Sequence, residues 1–261
     1  MIDIHSHLLP GLDDGAADWN EAMALAAAAS AEGITDIIAT PHHFDGRYNN
    51  SAAKVNELVN TMNAMLTEQQ IPLTVHSGQE IHVHHHLLNN WDNGLLLPLA
   101  GSKYVLLEMP SSRIPEHMDQ LVYELKLAGI SAVIAHPERN AEIVKHPERL
   151  AELIALGAYA QVTSHSLVGG FGRTIERAAW HLCRHRLIHF IASDAHHLEW
   201  RGFRMKEAFE RAAGTLGEQW SDYYARNAAR LLQSEEIAAA PSEASLPRSG
   251  GWDKLKSLFR Q

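Results

Sequence analysis

The sequence predicts an α/β protein whose parallel strands close into a distorted (β/α)7 barrel. Three observations carry that expectation. Seven short apolar runs recur along the chain, bounded by turn residues. Helical patterns lie between most of them, and such alternation argues for parallel strands joined by right-handed crossovers. Several runs also end on His, Asp or Glu, at the strand ends where β/α barrels collect function. An open doubly wound sheet is the second architecture, but the chain lacks the Gly-rich first turn that such sheets use for nucleotides. A chain of 261 residues, 46% hydrophobic, suffices for one large domain with a full core.

The elements follow in order. Ile2–His5 is the first strand candidate, with His5 and His7 at an i, i+2 spacing that places both side chains on one face. Asp18 is a plausible N-cap, with Glu21 three residues on, for a helix over Trp19–Glu32. Ile34–Thr40 is the next strand and Ser51–Glu68 the next helix. Strands follow at Leu73–Gln79 and Tyr104–Leu107, then a helix over Pro115–Ala128. Ser131–Ala135, Tyr159–Thr163 and Ile188–Ala192 complete the strands. Helices over Arg149–Leu156, Gly172–His185 and Arg204–Ala213 complete the alternation. Gly33, Gly129, Gly157 and Gly214 each follow a helix in the C′ position that glycine favours. A domain over residues 1–234 is therefore expected, followed by a linker and tail over 235–261. The stretch Ile237 to Gly251 is rich in Ala, Pro, Ser and Gly, and Trp252, Leu255 and Phe259 share one face of an amphipathic tail helix.

Composition narrows the function. A net charge of -9 and the absence of a basic block argue against nucleic acid as a partner. No basic n-region precedes the first residues and His5 and His7 interrupt the apolar start, so no signal peptide is expected. The alanine-rich run around Met23 to Ala31 is too short and too flanked by acids to insert stably in a membrane. Cys183 is the single cysteine, so no intramolecular disulfide forms. A cytoplasmic protein is the expectation. Nothing in the sequence sets its oligomeric state.

Among 18 histidines, several sit where chemistry is expected. The first strand runs into His5 and His7, followed by Asp13-Asp14-Gly15. Ile37-Ile38-Ala39-Thr40-Pro41 runs into His42, Val75 to Gln79 into Glu80, and Val105-Leu106-Leu107 into Glu108. Val133-Ile134-Ala135 runs into His136, and Phe190 to Ser193 into Asp194 and His196. One such strand end is usually a hydrogen-bonded core residue or a salt-bridge partner. Six converging on one barrel face make a polynuclear metal site the better account. Imidazole with carboxylate suits Mn, Fe or Zn and excludes a thiolate site. About nine ligands exceed the needs of one ion, so a carboxylate must bridge.

Here the sequence resembles a known family. His-x-His, Thr-Pro-His, Gly-x-Glu, Glu108, His136 and Asp-x-His are similar to the ligand set of the polymerase-and-histidinol-phosphatase (PHP) superfamily. Pro10-Gly11-Leu12-Asp13-Asp14-Gly15, Ala135-His136-Pro137-Glu138-Arg139 and Ser193-Asp194-Ala195-His196 are closer still to its manganese-dependent bacterial tyrosine-protein phosphatases of the CpsB/YwqE type. The resemblance runs from Met1 to about Leu232. It implies a PHP-fold (β/α)7 barrel with three divalent ions, Mn²⁺ by preference. By that resemblance His5, His7, Glu80 and Asp194 hold one ion, and Glu80 bridges to a second completed by Glu108 and His136. His42, His196 and Asp14 hold the third, with Asp13 as the alternative to Asp14. His43 and His197 are left out, and the His82 to His86 run is read as mostly solvated.

Clustered cations make hydroxide available from bound water near neutral pH and neutralise phosphoryl charge, so no covalent nucleophile is needed. Cys183 lacks the Cys-x5-Arg signature, since the sixth residue on is His189. Arg139 and Arg201 follow His136 and His196 closely and are the candidates for holding phosphate oxygens. A helix-capping or salt-bridge role is the alternative for Arg139, and phosphate contact is the favoured reading. The expected function is a metal-dependent protein-tyrosine phosphatase. The resemblance implies a phosphorylated bacterial tyrosine autokinase as partner and a role in capsular or exopolysaccharide synthesis. The alternatives are a small-molecule phosphatase of the histidinol-phosphate type, a phosphodiesterase, or a non-catalytic metal-stabilised module.

Overall fold

A computed structural model describes residues 1–44 and 46–241. Nine parallel strands form two sheets, one ordered β1-β2-β4 and one ordered β3-β5-β6-β7-β8-β9. The first sheet comprises β1 (Ile2–Ser6), β2 (Asp36–Ala39) and β4 (Thr74–Ser77). The second comprises β3 (His42–His43), β5 (Glu80–His82), β6 (Tyr104–Glu108), β7 (Ser131–Ala135), β8 (Tyr159–Thr163) and β9 (Phe190–Ala192). Only Thr40-Pro41 separates β2 from β3, and only Gly78-Gln79 separates β4 from β5. These are two of the seven expected strands, each broken near its end. The break at Pro41 has a plain cause, because proline gives no N–H to a ladder.

The sheets close where β1 meets the end of β9. Asp194 N donates to His5 O and His7 N to Ala195 O, both at 2.8 Å. Asp3, fully buried, accepts from the Ser193 backbone N–H at 2.9 Å and from its hydroxyl. Burial pushes the Asp3 carboxyl up to about 6, against the hydrogen bonds from Ser193. The result is the distorted (β/α)7 barrel the alternation predicts.

Side chains of alternate parity divide the core, as the strand period requires. Ile4, Ile38, Leu106, Val133 and Phe190 pack together, and Ile37, Val105, Leu107, Ala132 and Ile191 pack in the larger cluster with the helices. That outer layer comprises α1 (Trp19–Ala31), α2 (Ala52–Glu68), α3 (Leu87–Asp92), α4 (Met118–Leu127) and α5 (Ala141–Lys145). It continues with α6 (Pro147–Leu156), α7 (Ser164–Leu167), α8 (Arg173–Arg184), α9 (Met205–Leu216) and α10 (Glu218–Leu232). Asp18 caps α1 through Asn20 N and Glu21 N, and Glu21 reaches back to Ala17 N.

Two findings depart from the sequence reading. Helix α9 runs through Gly214 to Leu216, with Gly217 at its C-cap, and α10 is an additional long helix. Ala228 and Leu231 of α10 join the cluster around Ile4 and Phe190. Its period is hard to read because Trp220, Tyr223, Tyr224 and the polar Asn227 make up most of its buried face beside Ala228 and Leu231. The chain then stays on the barrel past residue 234: Tyr104 Oη donates to Glu235 O at 2.5 Å, and Ala238 N donates to Asn227 Oδ1 at 3.2 Å. The amphipathic pattern of Trp252, Leu255 and Phe259 lies outside the described residues.

Candidate metal centre

Five short distances define the middle of the site. His5 Nε2 and His7 Nε2 stand 3.2 Å apart. Each faces Glu80 Oε2, at 3.4 and 3.3 Å, and Asp194 Oδ1, at 3.3 and 3.4 Å. All four side chains are buried, and Glu80 Oε2 and Asp194 Oδ1 have no hydrogen-bond partner. Two imidazole nitrogens facing each other are poor company unless something positive lies between them. With metal–ligand bonds of about 2.0–2.2 Å, a tetrahedron has edges of roughly 3.3–3.6 Å. The four atoms therefore fit a divalent cation at their centre.

Local structure sets this aim. His5 Nδ1 lies 3.1 Å from Gln161 Oε1 and His7 Nδ1 lies 2.7 Å from Asp13 Oδ2. His196 Nδ1 lies 2.9 Å from the Asp194 carbonyl. In each case Nδ1–H donates to the oxygen and the Nε2 lone pair is left facing inward, the usual outer support of a metal-binding histidine. Asp13 is pressed against His7 by the turn at Gly15, where a Cβ would lie 2.0 Å from the His7 carbonyl oxygen. His136 and Asp194 leave their strands with φ of 30° and 53°. Left-handed backbone at a non-glycine costs about 1–3 kcal/mol and is tolerated where function fixes it.

Glu80 faces two ways. Its Oε2 lies 3.0 Å from His42 Nδ1 and its Oε1 lies 2.8 Å from His136 Nε2. Glu108 stands 3.9 Å from His136 Nε2 and 3.7 Å from His42 Nδ1. Asp14 Oδ1 lies 3.3 Å from His196 Nε2 and 3.5 Å from His42 Nε2. All nine candidate ligands thus converge. Three overlapping groups could each hold an ion: His5, His7, Glu80 and Asp194; His7, Asp14, His42 and His196; and His42, Glu80 and Glu108. His42 lies between two of them, whereas the sequence reading placed it only with Asp14 and His196. Of the two aspartates, Asp14 faces the cluster and Asp13 stands behind His7.

The electrostatics ask for positive charge. Burial raises the Glu80 carboxyl, but the charges of His5 and His42 and the hydrogen bond from His136 outweigh it and hold it well below the usual range. Burial likewise opposes ionisation of Asp194, and His5, Arg139 and Arg201 overcome it. Burial works against charge on His42, yet Glu80 raises its pKa to about 9. Protons on these imidazoles occupy the role a cation would take, so cation binding releases them and weakens as pH falls.

Arg139 and Arg201 reach the same carboxylate from the rim. Arg139 Nη1 donates to Asp194 Oδ2 at 2.7 Å, and Arg201 Nη2 donates to the same oxygen. Arg201 Nη1 also lies 3.2 Å from His196 Nε2, while its Nε is buried without a hydrogen-bond partner. Both guanidinium carbons lie over the Phe171 ring, at 5.6 and 5.9 Å. The residues left out of the ligand set lie outside the cluster: His43 Nδ1 donates to Asn50 O, and His197 is exposed. His82 Nδ1 is 3.5 Å from Glu108 Oε2, and His84 stacks on Phe44. Sequence reasoning missed Asp13 as the partner of His7, Gln161 and Phe171. Of these only Gln161 carried a signal, as a polar residue inside the apolar run Tyr159–Thr163.

Asp13→Asn is expected to weaken cation binding about 10–100-fold, the usual loss when the support behind a ligand is removed. Titration of chelator-stripped protein, followed by calorimetry, measures it. Unchanged affinity would mean that Asp13 only shapes the turn.

Residues 1–233 match the family described as capsular polysaccharide synthesis, CpsB/CapC. The chain is 41% identical over 243 residues to the tyrosine-protein phosphatase YwqE of Bacillus subtilis, covering 93% of this chain and 96% of that one. It is 38% identical over 238 residues to the putative tyrosine-protein phosphatase CapC of Staphylococcus aureus, covering 91% and 93%. A solved structure described with YwqE and Streptococcus pneumoniae CpsB, as metal-dependent tyrosine phosphatases, superposes with a TM-score of 0.90 at 41% identity. That match covers 95% of this chain and all of the other. A probable 2-pyrone-4,6-dicarboxylic acid hydrolase of Acinetobacter baumannii shares the fold alone, at a TM-score of 0.50 and 15% identity.

Proposed function

The chain belongs to the CpsB/CapC family of capsular polysaccharide synthesis, and from that premise we propose that it is a metal-dependent protein-tyrosine phosphatase. The observation that carries the chemistry is the buried tetrad of His5, His7, Glu80 and Asp194, with two carboxylate oxygens left without partners. We assign His5, His7, Glu80 and Asp194 to one cation, Glu80, Glu108 and His136 to a second, and Asp14, His42 and His196 to a third. The close approach of His42 to Glu80 allows it to contribute to the second as well. Mixed imidazole and carboxylate ligands favour Mn²⁺, with Fe or Zn as substitutes.

Divalent cations held there acidify water and neutralise the phosphoryl oxygens. The chain's own residues supply orientation. Asp13 and Gln161 fix the imidazoles of His7 and His5. Arg139 and Arg201, partly exposed at the rim, offer N–H donors to the oxygens of a bound phosphoryl group. A phenolate leaves with its charge delocalised, so a strong general acid is dispensable. Cys183 takes no part: it is fully buried, and burial pushes its thiol up to about 12. The substrate we assign is a tyrosine-phosphorylated bacterial autokinase that governs capsule or exopolysaccharide assembly, acting in the cytoplasm. Among the described residues no helix is long and apolar enough to cross a membrane.

A hydrolysis panel tests the reading. Phosphotyrosine peptide should be cleaved well above phosphoserine peptide and histidinol phosphate. Exhaustive chelation should abolish that turnover, Mn²⁺ should restore it at least as well as Mg²⁺, and Cys183→Ser should stay within a few-fold of wild type. Activity that survives chelation and disappears with Cys183→Ser would replace this mechanism with a thiolate one.

A further inference from the structure

Two large apolar side chains stand exposed beside the metal centre: Trp200 at 82% and Leu198 at 51%. They are not on a loose loop. His197 pairs antiparallel with Arg201, and His196 N and His197 N both donate to Arg201 O, at 2.8 and 3.2 Å. At Gly202 a Cβ would stand 3.0 Å from the Leu198 carbonyl, so the return of the chain is pressed against the tip. The tip Leu198-Glu199-Trp200 is thus clasped between His196 and Arg201, both part of the centre.

Between this tip and α1 lies an open cleft of about 580 Å³. Leu25, Leu198 and Trp200 give it an apolar wall, Glu21 and Glu199 bring carboxylates, and the buried His196 also lines it. Glu21 accepts only a backbone N–H, and neither carboxylate forms an ion pair among the described residues.

We propose that this cleft docks the polypeptide flanking the phosphotyrosine, and that it selects a lysine or arginine one or two residues away. The inference rests on the phosphatase reading and names its peptide specificity. Three features point to a basic residue. His196 belongs both to the cluster and to the cleft lining, so a chain whose phosphoryl group lies at the cluster, spaced at about 3.3 Å per residue, can bring its next side chains over Trp200. An indole face and an apolar wall suit the stem of a long basic side chain and attract its charge. Glu21 and Glu199 complement that charge, and they repel an anionic membrane, which is the other surface an exposed tryptophan could meet.

The test uses full-length protein and paired phosphotyrosine peptides, identical except for lysine or glutamate on both flanks, with phenyl phosphate as the small substrate. Wild type should favour the lysine peptide by about 10-fold in kcat/KM, mainly through KM, in the range expected of a cation–π contact with a carboxylate nearby. Trp200→Ala should lose most of that preference and leave phenyl phosphate within two-fold. Glu199→Lys should reverse it. Calorimetric binding of the same peptides carrying a non-hydrolysable phosphonate separates the two claims. Selective binding without turnover would support the cleft and sink the phosphatase reading. Equal handling of both peptides by wild type, equal loss on phenyl phosphate in Trp200→Ala, or Trp200-dependent binding to anionic vesicles with peptide kinetics unchanged would each overturn the proposal.

Discussion

Glu80→Ala should lower hydrolysis of a phosphotyrosine peptide by at least about 10³-fold and strip the protein of more than one equivalent of divalent cation. The size follows from position. Losing one preorganised contact in an enzyme site costs about 10²–10³ in rate, and Glu80 serves two groups at once. Its Oε2 faces His5, His7 and His42, and its Oε1 faces His136. His82→Ala is the matched control. His82 lies two residues further along β5, partly exposed and 3.5 Å from Glu108 Oε2, so its removal should cost no more than a few-fold. Elemental analysis beside steady-state kinetics reads both effects, and circular dichroism checks that the buried substitution leaves the barrel folded. Equal, small losses in the two variants would remove Glu80 from the bridging role. Loss of a single equivalent, with the rest retained, would mean that the centre is not shared.

The same geometry explains what the sequence could and could not reveal. The candidate positions other than Asp14 were legible because each follows an apolar run, and a barrel turns the ends of parallel runs toward one face. The seven-strand alternation was legible for the same reason. Asp13 against Asp14 was not, because neighbouring acids on a turn have the same composition and differ only in where the backbone aims them. Their division follows from the Gly15 turn packing on the His7 carbonyl. Gln161 and Phe171 reach the site from β8 and from the segment after α7, contacts that depend on closure of the barrel; Gln161 stood out only as a polar residue inside an apolar run, and Phe171 left no mark in local pattern. Helix α10 stayed hidden because its inward face is mostly aromatic and amide, with only Ala228 and Leu231 aliphatic. The split of two strands into β2/β3 and β4/β5 has a local cause at Pro41 and becomes visible only when ladder partners are known.

Arg139→Ala and Arg201→Ala should each reduce kcat/KM on a phosphotyrosine peptide by roughly 30–1000-fold, about 2–4 kcal/mol of transition-state stabilisation by analogy with a lost oxyanion donor. Both guanidiniums converge on Asp194 Oδ2, the oxygen facing away from His5 and His7. Each retains further N–H donors, and the buried Nε of Arg201 lacks an acceptor. The arginines can therefore do two things: hold phosphoryl oxygens, or hold Asp194 in place. These roles leave different traces. A phosphoryl contact strengthens as charge redistributes, so its loss lowers kcat as well as raising KM while cation content stays full. A role confined to Asp194 releases that carboxylate and lowers cation affinity first, and saturating Mn²⁺ then restores turnover. Arg→Lys should recover only part of the loss at either position, because an ammonium cannot reproduce the planar fork. Kinetics and cation content measured on the same samples decide between the roles. Wild-type kcat/KM with full cation in both alanine variants would assign the pair to structure and leave the phosphoryl oxygens to the cations alone.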